Sequence, residues 1–417
     1  ISVATPAIKA AAALGIALTK RGKHRGEDIP MAGVPVVSSE DYLQRLIAEG
    51  FRVAVCEQTE DPAEAKKRGS KSVVARDVVR LVTPGTITEE TLLEPGRPNY
   101  LAAIARLGGS GPGAEYAIAW TDLSTGHFRI AGTDRDRLST DISALEPSEL
   151  IYPDQLSGEP EIVPLVRRLQ RAARAEPSVL FDGATAGERL CRFFGVSTLA
   201  GFGAFSRAEF SAGAALVSYL GKTQFSARPA LERPRKVAPG STMLIDPATR
   251  ASLELTRTLS GRRQGSLLAT IDRTRTGAGA RLLAARLAQP LTAPAAIRER
   301  HDSVTFFHEE PAIATALRLT IKGAPDLERA LSRLSLDRAG PRDLGAVLQT
   351  LDRFRQLQDL MAGAVLPAEL AAALGAIAAV PAELERLLCA LLADELPLQK
   401  RDGGFIASGA IGPLDDA

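Results

Sequence analysis

The spacing of apolar residues changes once along this chain, and that change limits what the chain can fold into. From residue 247 to residue 392 the spacing is almost wholly helical. Six amphipathic helices are predicted there, over 248–259, 277–288, 293–307, 325–336, 341–361 and 381–392. Before residue 228, strand-like runs alternate with helical ones. The sequence therefore predicts a multidomain α/β plus all-α fold, with the helical part at the C-terminal end.

Three units are expected in the 417 residues. Residues 1–86 are predicted to form a small mixed α/β domain, and 91–227 a second α/β domain built on a three-stranded meander. Residues 228–417 are predicted to form a helical bundle or lever-like array. The segment 228–236 is proline-rich and charged, which is typical of a linker.

Composition excludes some classes of protein and leaves others open. The net charge is +2, so the whole-chain charge indicates no partner. Cys56, Cys191 and Cys389 lie far apart in apolar runs without a CxxC motif, which favours small buried side chains in a reducing compartment. No apolar run reaches membrane-spanning length.

Positive charge is nevertheless concentrated at two places in the first unit. The two basic groups are Lys20, Arg21, Lys23, His24 and Arg25, and Lys66, Lys67, Arg68 and Lys71. Both are predicted to be loops flanking one small sheet. Its two predicted strands are 51–58, which is expected to be buried, and 73–83. A stiff apolar turn is predicted over 29–35. Few acids lie near either group in sequence, and charge alone leaves phosphate contact and ordinary solvated loops as equal alternatives.

A catalytic alternative centres on Asp122, which ends a strand of the meander. Ribonuclease H-like nucleases hold a metal-binding carboxylate at such a position, and two-metal cleavage needs several converging acids. The further candidates are Asp134, Asp136, Asp141 and Asp182. A turn role for Asp122 and helix-terminal roles for the others are the favoured interpretation.

Other signals of chemistry are weak. The triplet 221–223 has the Gly-Lys-Thr of a phosphate loop, but it lacks the earlier glycine and follows a helix. His301 and His308 are two helical turns apart, about 10.5 Å of rise, too far to share a metal without other ligands.

Ten short motifs, in order along nearly the whole chain, resemble the MutS family of bacterial DNA mismatch-repair proteins. They cover residues 15–22, 29–35, 53–58, 78–86, 122–126, 201–203, 246–250, 326–329, 341–344 and 401–404. The resemblance implies that 1–86 is an N-terminally incomplete mismatch-binding domain. It implies that 91–227 is a ribonuclease H-like connector and that 228–417 is the first part of a helical core or lever.

The function implied by the resemblance is recognition of mispaired or unpaired bases in duplex DNA, with the signal relayed to an ATPase outside this chain. The family binds ATP and magnesium, dimerises, reports to MutL and works in the bacterial cytoplasm at the nucleoid. This part is expected to have no enzymatic activity, no ATP turnover and no cofactor or metal site of its own. A metal-dependent nuclease using the connector is the alternative.

The resemblance also implies which residues contact DNA. The expected contacts are Lys20, Arg21, Lys23, Pro30, Met31, Lys66, Lys67, Arg68, Lys71 and Arg76. Pro30 and Met31 correspond to family positions that pack against the minor groove. The family's Phe-x-Glu wedge is expected before Ile1, so these residues alone are expected to prefer a mismatch only slightly.

Overall fold

The computed structural model describes residues 4–69, 72–109, 111, 113–225 and 228–412. These residues form two two-stranded sheets, one six-stranded sheet and a C-terminal series of helices. The predicted class, α/β units followed by an all-helical part, is confirmed. None of the described helices combines the length and apolar character needed to cross a bilayer.

The N-terminal part consists of short helices and two hairpins. Its elements are α1 (Ala4–Leu14), β1 (Thr19–His24), β2 (Glu27–Met31), α2 (Ser39–Ala48), β3 (Val53–Gln58), α3 (Pro62–Lys67) and β4 (Arg76–Val82). Strand β1 pairs antiparallel with β2, and β3 pairs antiparallel with β4, in separate sheets. The prediction that both basic groups flank one small sheet is therefore wrong.

The first basic group is a strand and not a loop. Arg25 and Gly26 both have positive φ, 53° and 88°, which is the geometry of a two-residue hairpin turn. That turn lets the charged run pair as β1 with residues 27–31, so the predicted apolar turn begins as β2. In the second group, Lys66 and Lys67 end helix α3 instead of lying in a loop.

Strand β3 is more exposed than the sequence predicts. Ala54, Cys56 and Glu57 are exposed, because the small core of this part covers only one face of the β3–β4 hairpin. The prediction of buried cysteines is also wrong. All three cysteines are free; Cys56 and Cys389 are exposed, and Cys191 is half-buried.

The six-stranded sheet has helices packed on it. Its elements are β5 (Tyr100–Leu107), β6 (Glu115–Asp122), β7 (His127–Thr133), α4 (Leu138–Leu145), β8 (Glu149–Pro153), α5 (Val163–Leu169), β9 (Ala173–Glu176), α6 (Ala186–Phe194), α7 (Arg207–Thr223) and β10 (Arg235–Lys236). The strand order is β10-β7-β6-β5-β8-β9, with the predicted antiparallel meander β5-β6-β7 at its centre. Helix α7 packs closely on this sheet; a Cβ at Gly213 would lie 2.8 Å from Ile130 Cδ1.

The segment predicted as a linker is bound to the sheet edge. Strand β10 pairs parallel with β7, and the Glu232 amide donates to the Gly126 carbonyl at 2.8 Å. Leu231 packs against the core beneath α7. Residues 235–236 are thus the edge strand of the sheet, and the predicted linker is held against that sheet by these contacts.

The C-terminal part is helical, as predicted. Its elements are α8 (Pro247–Ser252), α9 (Leu267–Ile271), α10 (Gly277–Ala288), α11 (Pro294–Glu309), α12 (Pro311–Thr320), α13 (Leu327–Ser335), α14 (Pro341–Met361), α15 (Ala368–Ala378) and α16 (Ala382–Leu391). The predicted helix over 248–259 is too long, because Glu254 adopts a left-handed conformation with φ of 45°. Helices α9, α12 and α15 were not predicted from the apolar spacing.

Candidate nucleic-acid interface

The β1–β2 hairpin presents the first basic group to solvent. Lys20, Arg21 and Lys23 are all exposed. Lys20 Nζ forms an ion pair of 2.9 Å with Asp28 Oδ2 on β2, an acid that becomes its neighbour only through strand pairing. Arg21 and Lys23 have no acidic partner within the described residues, so their charge is available to an external anion.

Apolar surface lies beside this charge. Met31 ends β2 with 38% of its surface exposed, and Pro30 is half-buried next to it. The Thr19 hydroxyl donates to the Met31 carbonyl at 2.8 Å, which fixes the end of the hairpin. Val36, five residues on, is 82% exposed. The β1–β2 hairpin therefore exposes both cationic side chains and an apolar one.

The second basic group lies at the end of α3. Asp61 caps this helix by accepting from the Ala63 amide at 2.8 Å. Lys66 and Lys67 are exposed and have no acidic partner in the described part of the chain. Arg68 donates to Glu60 at 2.6 Å, and this bond is the main cause of a lowered pKa of Glu60. The sequence did not indicate this ion pair, in which the Arg68 side chain remains 56% exposed.

Two predicted contact residues remain. Arg76 is exposed at the start of β4. Lys71 and the side chain of His24 lie outside what the structure describes.

Both carboxylate oxygens of Asp122 accept hydrogen bonds, one from Asn99 and the other from Ser124 in its own turn. Its Oδ2 accepts from the Asn99 amide at 2.9 Å, and its Oδ1 accepts from the Ser124 amide at 2.9 Å and hydroxyl at 2.6 Å. Asp141 binds the Thr133 hydroxyl. The described residues contain no group of three or more His, Cys, Asp or Glu side chains placed to hold a metal. The geometry agrees with the turn interpretation and gives the nuclease alternative no support.

A buried polar network joins the N-terminal part to the six-stranded sheet. Half-buried Arg52 donates to the Tyr219 hydroxyl on α7 at 3.2 Å, and that hydroxyl donates to Glu149 Oε1 at 2.6 Å. Glu149 Oε2 accepts from the Gly85 amide at 3.1 Å and from the Thr83 hydroxyl. Burial and the neighbouring Glu149 raise the pKa of Tyr219, so this tyrosine stays a donor. We call these residues the Glu149 joint.

A second set of contacts, the arginine joint, ties segment 94–97 to the helices. Arg329 on α13 is 1% exposed and donates to the carbonyls of Glu94 at 3.1 Å and Arg97 at 3.2 Å. Arg281 on α10 donates to the Pro95 carbonyl at 3.0 Å and binds the Asp326 carboxylate with both terminal nitrogens. Residues 326–329 form one of the ten sequence motifs. Nothing in the sequence indicated that the side chains of this motif contact segment 94–97.

His127 links the sheet to the same helix. Its Nε2 lies 3.2 Å from Glu328 Oε1 on α13 and 3.7 Å from Glu232 Oε1. The hydrogen bond with Glu328 is the largest cause of a pKa of His127 above its usual 6.5; burial and the positive charge of Arg129 oppose this shift. The same bond lowers the pKa of Glu328, which also binds Arg281.

The His127 contact predicts a pH dependence of stability. A histidine with a raised pKa stabilises the fold fully below its unfolded pKa, near 6.5, and this stabilisation is lost as pH rises through the folded value. Glu328, with a lowered pKa, stabilises fully above its usual 4.5 and loses this effect as pH falls. We therefore expect the stabilisation to be complete between about pH 4.5 and 6.5 and to weaken above it. Urea unfolding of His127→Gln and the unmodified chain at pH 6 and 8.5 measures this.

The matched control for this prediction is His301→Gln, since His301 is exposed on α11. In His127→Gln the loss of stability should be larger at pH 6 than at pH 8.5, whereas the control should show equal values. A loss of the same size at both pH values would show that the ion pair with Glu328 does not form.

Comparisons with known proteins assign this arrangement to a class. Three family models match in order: MutS domain I over residues 4–91, MutS domain II over 99–232 and MutS domain III over 248–408. The chain belongs to the MutS family. The DNA mismatch repair protein MutS of Rhizobium meliloti (strain 1021) is 57% identical over 410 residues, which is 98% of this chain. The chain spans 45% of the length of that relative.

Proposed function

We propose that this chain binds duplex DNA at mispaired or unpaired bases, as the N-terminal portion of a mismatch-repair protein. In this proposal the hairpin residues Lys20, Arg21 and Lys23 contact phosphates, and Pro30 and Met31 approach the minor groove. Lys66, Lys67, Arg68, Lys71 and Arg76 provide further backbone contacts. One observation carries the proposal: Arg21 and Lys23, which have no acidic partner in the described residues, and the exposed Met31 all lie on one short hairpin.

The physical basis of such recognition is a difference in deformation energy. A mismatched pair has lost stacking and pairing energy, so bending the duplex there costs less than in matched DNA. Proteins that enter the minor groove typically combine cations for the backbone with an apolar side chain at the base step. The β1–β2 hairpin has both groups, and MutS domain I covers it.

Binding of DNA is transmitted through the three units of the chain. Residues 1–86, 91–227 and 228–417 act as DNA-binding, connecting and helical units, joined by the Glu149 joint and the arginine joint. The helices pass the event to an ATPase in the whole protein, which uses ATP and magnesium. That protein works as a homodimer with MutL in the bacterial cytoplasm, at the nucleoid, and the 417 residues themselves do not catalyse a reaction.

Charge reversal at Arg21 tests the proposed interface. Arg21→Glu removes one phosphate contact and adds a repulsive charge, so we expect the affinity for DNA to fall on the order of tenfold at low salt. The loss should be alike for matched and G·T duplexes, and the salt dependence of log K should decrease by about one unit. Fluorescence anisotropy with labelled duplexes at several salt concentrations measures both quantities.

The control is Arg192→Glu, which reverses an equally exposed arginine on α6, far along the chain from the hairpin. It should leave DNA affinity within about twofold of the unmodified chain. Equal losses in the two variants would show only non-specific attraction. Cleavage of duplex in Mg²⁺ that disappears in Asp122→Asn would instead favour a nuclease.

A further inference from the structure

A cavity of about 440 Å³ lies where the six-stranded sheet meets the helices. It is bounded by the end of α4 and the start of β5 on one side, and by α10 and loop 256–264 on the other. Tyr100, Leu145, Leu268 and Ala285 supply apolar wall. The volume lies within the range of small-molecule sites, which are mostly apolar with a few fixed polar groups.

The polar groups of this cavity are mainly arginines. The lining contains Arg97, Arg257, Arg262 and Arg263. Arg263 forms an ion pair of 2.5 Å with Asp272, and Arg257 Nε lies 3.4 Å from Glu146 Oε2. Arg97 lies 3.8 Å from its nearest carboxylate, Glu94 Oε1. Burial, and then the positive charge of Arg257, lower the pKa of Arg97.

Glu146 also lines the cavity, and its carboxylate interacts with several arginines. It accepts from the Thr256 hydroxyl at 2.5 Å and from Arg257 Nε at 3.4 Å. Arg97, Arg168 and Arg250 also interact electrostatically with it, while burial lowers the pKa of each. The cavity lining holds four arginines against two carboxylates, Glu94 and Glu146, and Arg263 is paired with Asp272 outside the lining. The described lining therefore keeps a net positive charge.

Glu146 has a left-handed backbone, with φ of 44° and ψ of 55°, as is common where a helix ends, and it caps α4 at the cavity wall. Arg250 on α8, which is not part of the cavity lining, is 7% exposed, and its Nε and Nη1 have no hydrogen-bond partner in the described residues. Buried cations without partners are unfavourable unless an anion neutralises them.

We propose that this cavity binds an organic phosphate monoester, with the phosphate against Arg97 and Arg257 and an apolar ring against Tyr100 and Ala285. A monoester carries close to two negative charges above pH 7 and three acceptor oxygens. It therefore offsets the unbalanced guanidiniums better than a single carboxylate. The site is separate from the DNA-binding hairpin and does not depend on the proposed function.

Calorimetric titration of the 417-residue chain with phenyl phosphate tests this site. We expect saturable one-to-one binding, at least tenfold tighter than inorganic phosphate or phenol, since each of these supplies only half of the contacts. Arg97→Gln, which removes a cation, and Ala285→Leu, which fills the cavity, should each weaken binding at least tenfold. Arg192→Gln on α6 is the matched arginine control and should bind like the unmodified chain.

Several outcomes would overturn the proposal. Absence of saturable binding would do so, as would equal binding of inorganic phosphate, which would indicate a simple anion site. Binding that is unchanged in both Arg97→Gln and Ala285→Leu would place the ligand elsewhere. If Arg97→Gln fails to fold by circular dichroism, Ala285→Leu decides the question, because it leaves every charge in place.

Discussion

Replacement of Arg329 by alanine is expected to lower the free energy of unfolding by about 3–5 kcal/mol. Arg329 is 1% exposed and donates to the carbonyls of Glu94 and Arg97. The substitution leaves both carbonyls without this donor and opens a cavity at the arginine joint. Urea unfolding followed by circular dichroism gives the midpoint, and the slope shows whether the transition stays cooperative.

Two variants sharpen this prediction. Arg329→Lys keeps the charge but replaces the planar guanidinium, whose Nη2 donates to both carbonyls, by a differently shaped ammonium, so an intermediate loss is expected. Arg192→Ala removes an exposed arginine paired with Glu188 and should change stability by less than about 1 kcal/mol. If Arg329→Ala behaved like Arg192→Ala, segment 94–97 would not be held by this side chain.

Replacement of Glu149 by leucine is expected to cost at least about 3 kcal/mol, because three buried donors lose their acceptor. These donors are the Tyr219 hydroxyl, the Gly85 amide and the Thr83 hydroxyl. Leucine cannot accept a hydrogen bond, and little space is available for rearrangement; a Cβ at Gly85 would lie 2.8 Å from Glu149 Cβ. Urea unfolding measures the loss, and limited proteolysis reports whether the N-terminal part separates.

The matched variants for the Glu149 joint are Glu149→Gln and Tyr219→Phe. Glutamine retains one acceptor oxygen. Tyr219→Phe removes one of the three donors to Glu149 and the acceptor of half-buried Arg52, so both variants should cost less than Glu149→Leu. Equal stability of Glu149→Leu and the unmodified chain would mean that water reaches these donors and that the joint is open. In that case DNA binding at the hairpin would have no rigid path to the sheet.

Local sequence determined the elements in which hydrogen-bonded residues lie close together along the chain. The meander β5-β6-β7 follows from alternating apolar residues, and the helical part follows from apolar spacing after residue 247. The ten short sequence motifs were enough to indicate the MutS family. The turn role of Asp122 was also predictable, since its partner Ser124 is two residues away.

Tertiary structure decided which charges are paired. Asp28 forms an ion pair with Lys20 across the β1–β2 hairpin, and Glu60 forms one with Arg68. The sequence contained both acids but not these distances. The β1–β2 strands replaced a predicted loop because the turn at Arg25 and Gly26 allowed a charged run to pair.

What the sequence by itself determined is the order of the three parts, the change from α/β to helical structure, and the family. What only the tertiary structure decided is the Glu149 joint, the arginine joint and the excess of arginines in the cavity lining. The reason is physical: periodicity and turn preference act between residues that are close in the chain. Burial and charge pairing join residues such as Arg329 and Glu94, which lie far apart in sequence and meet only after folding.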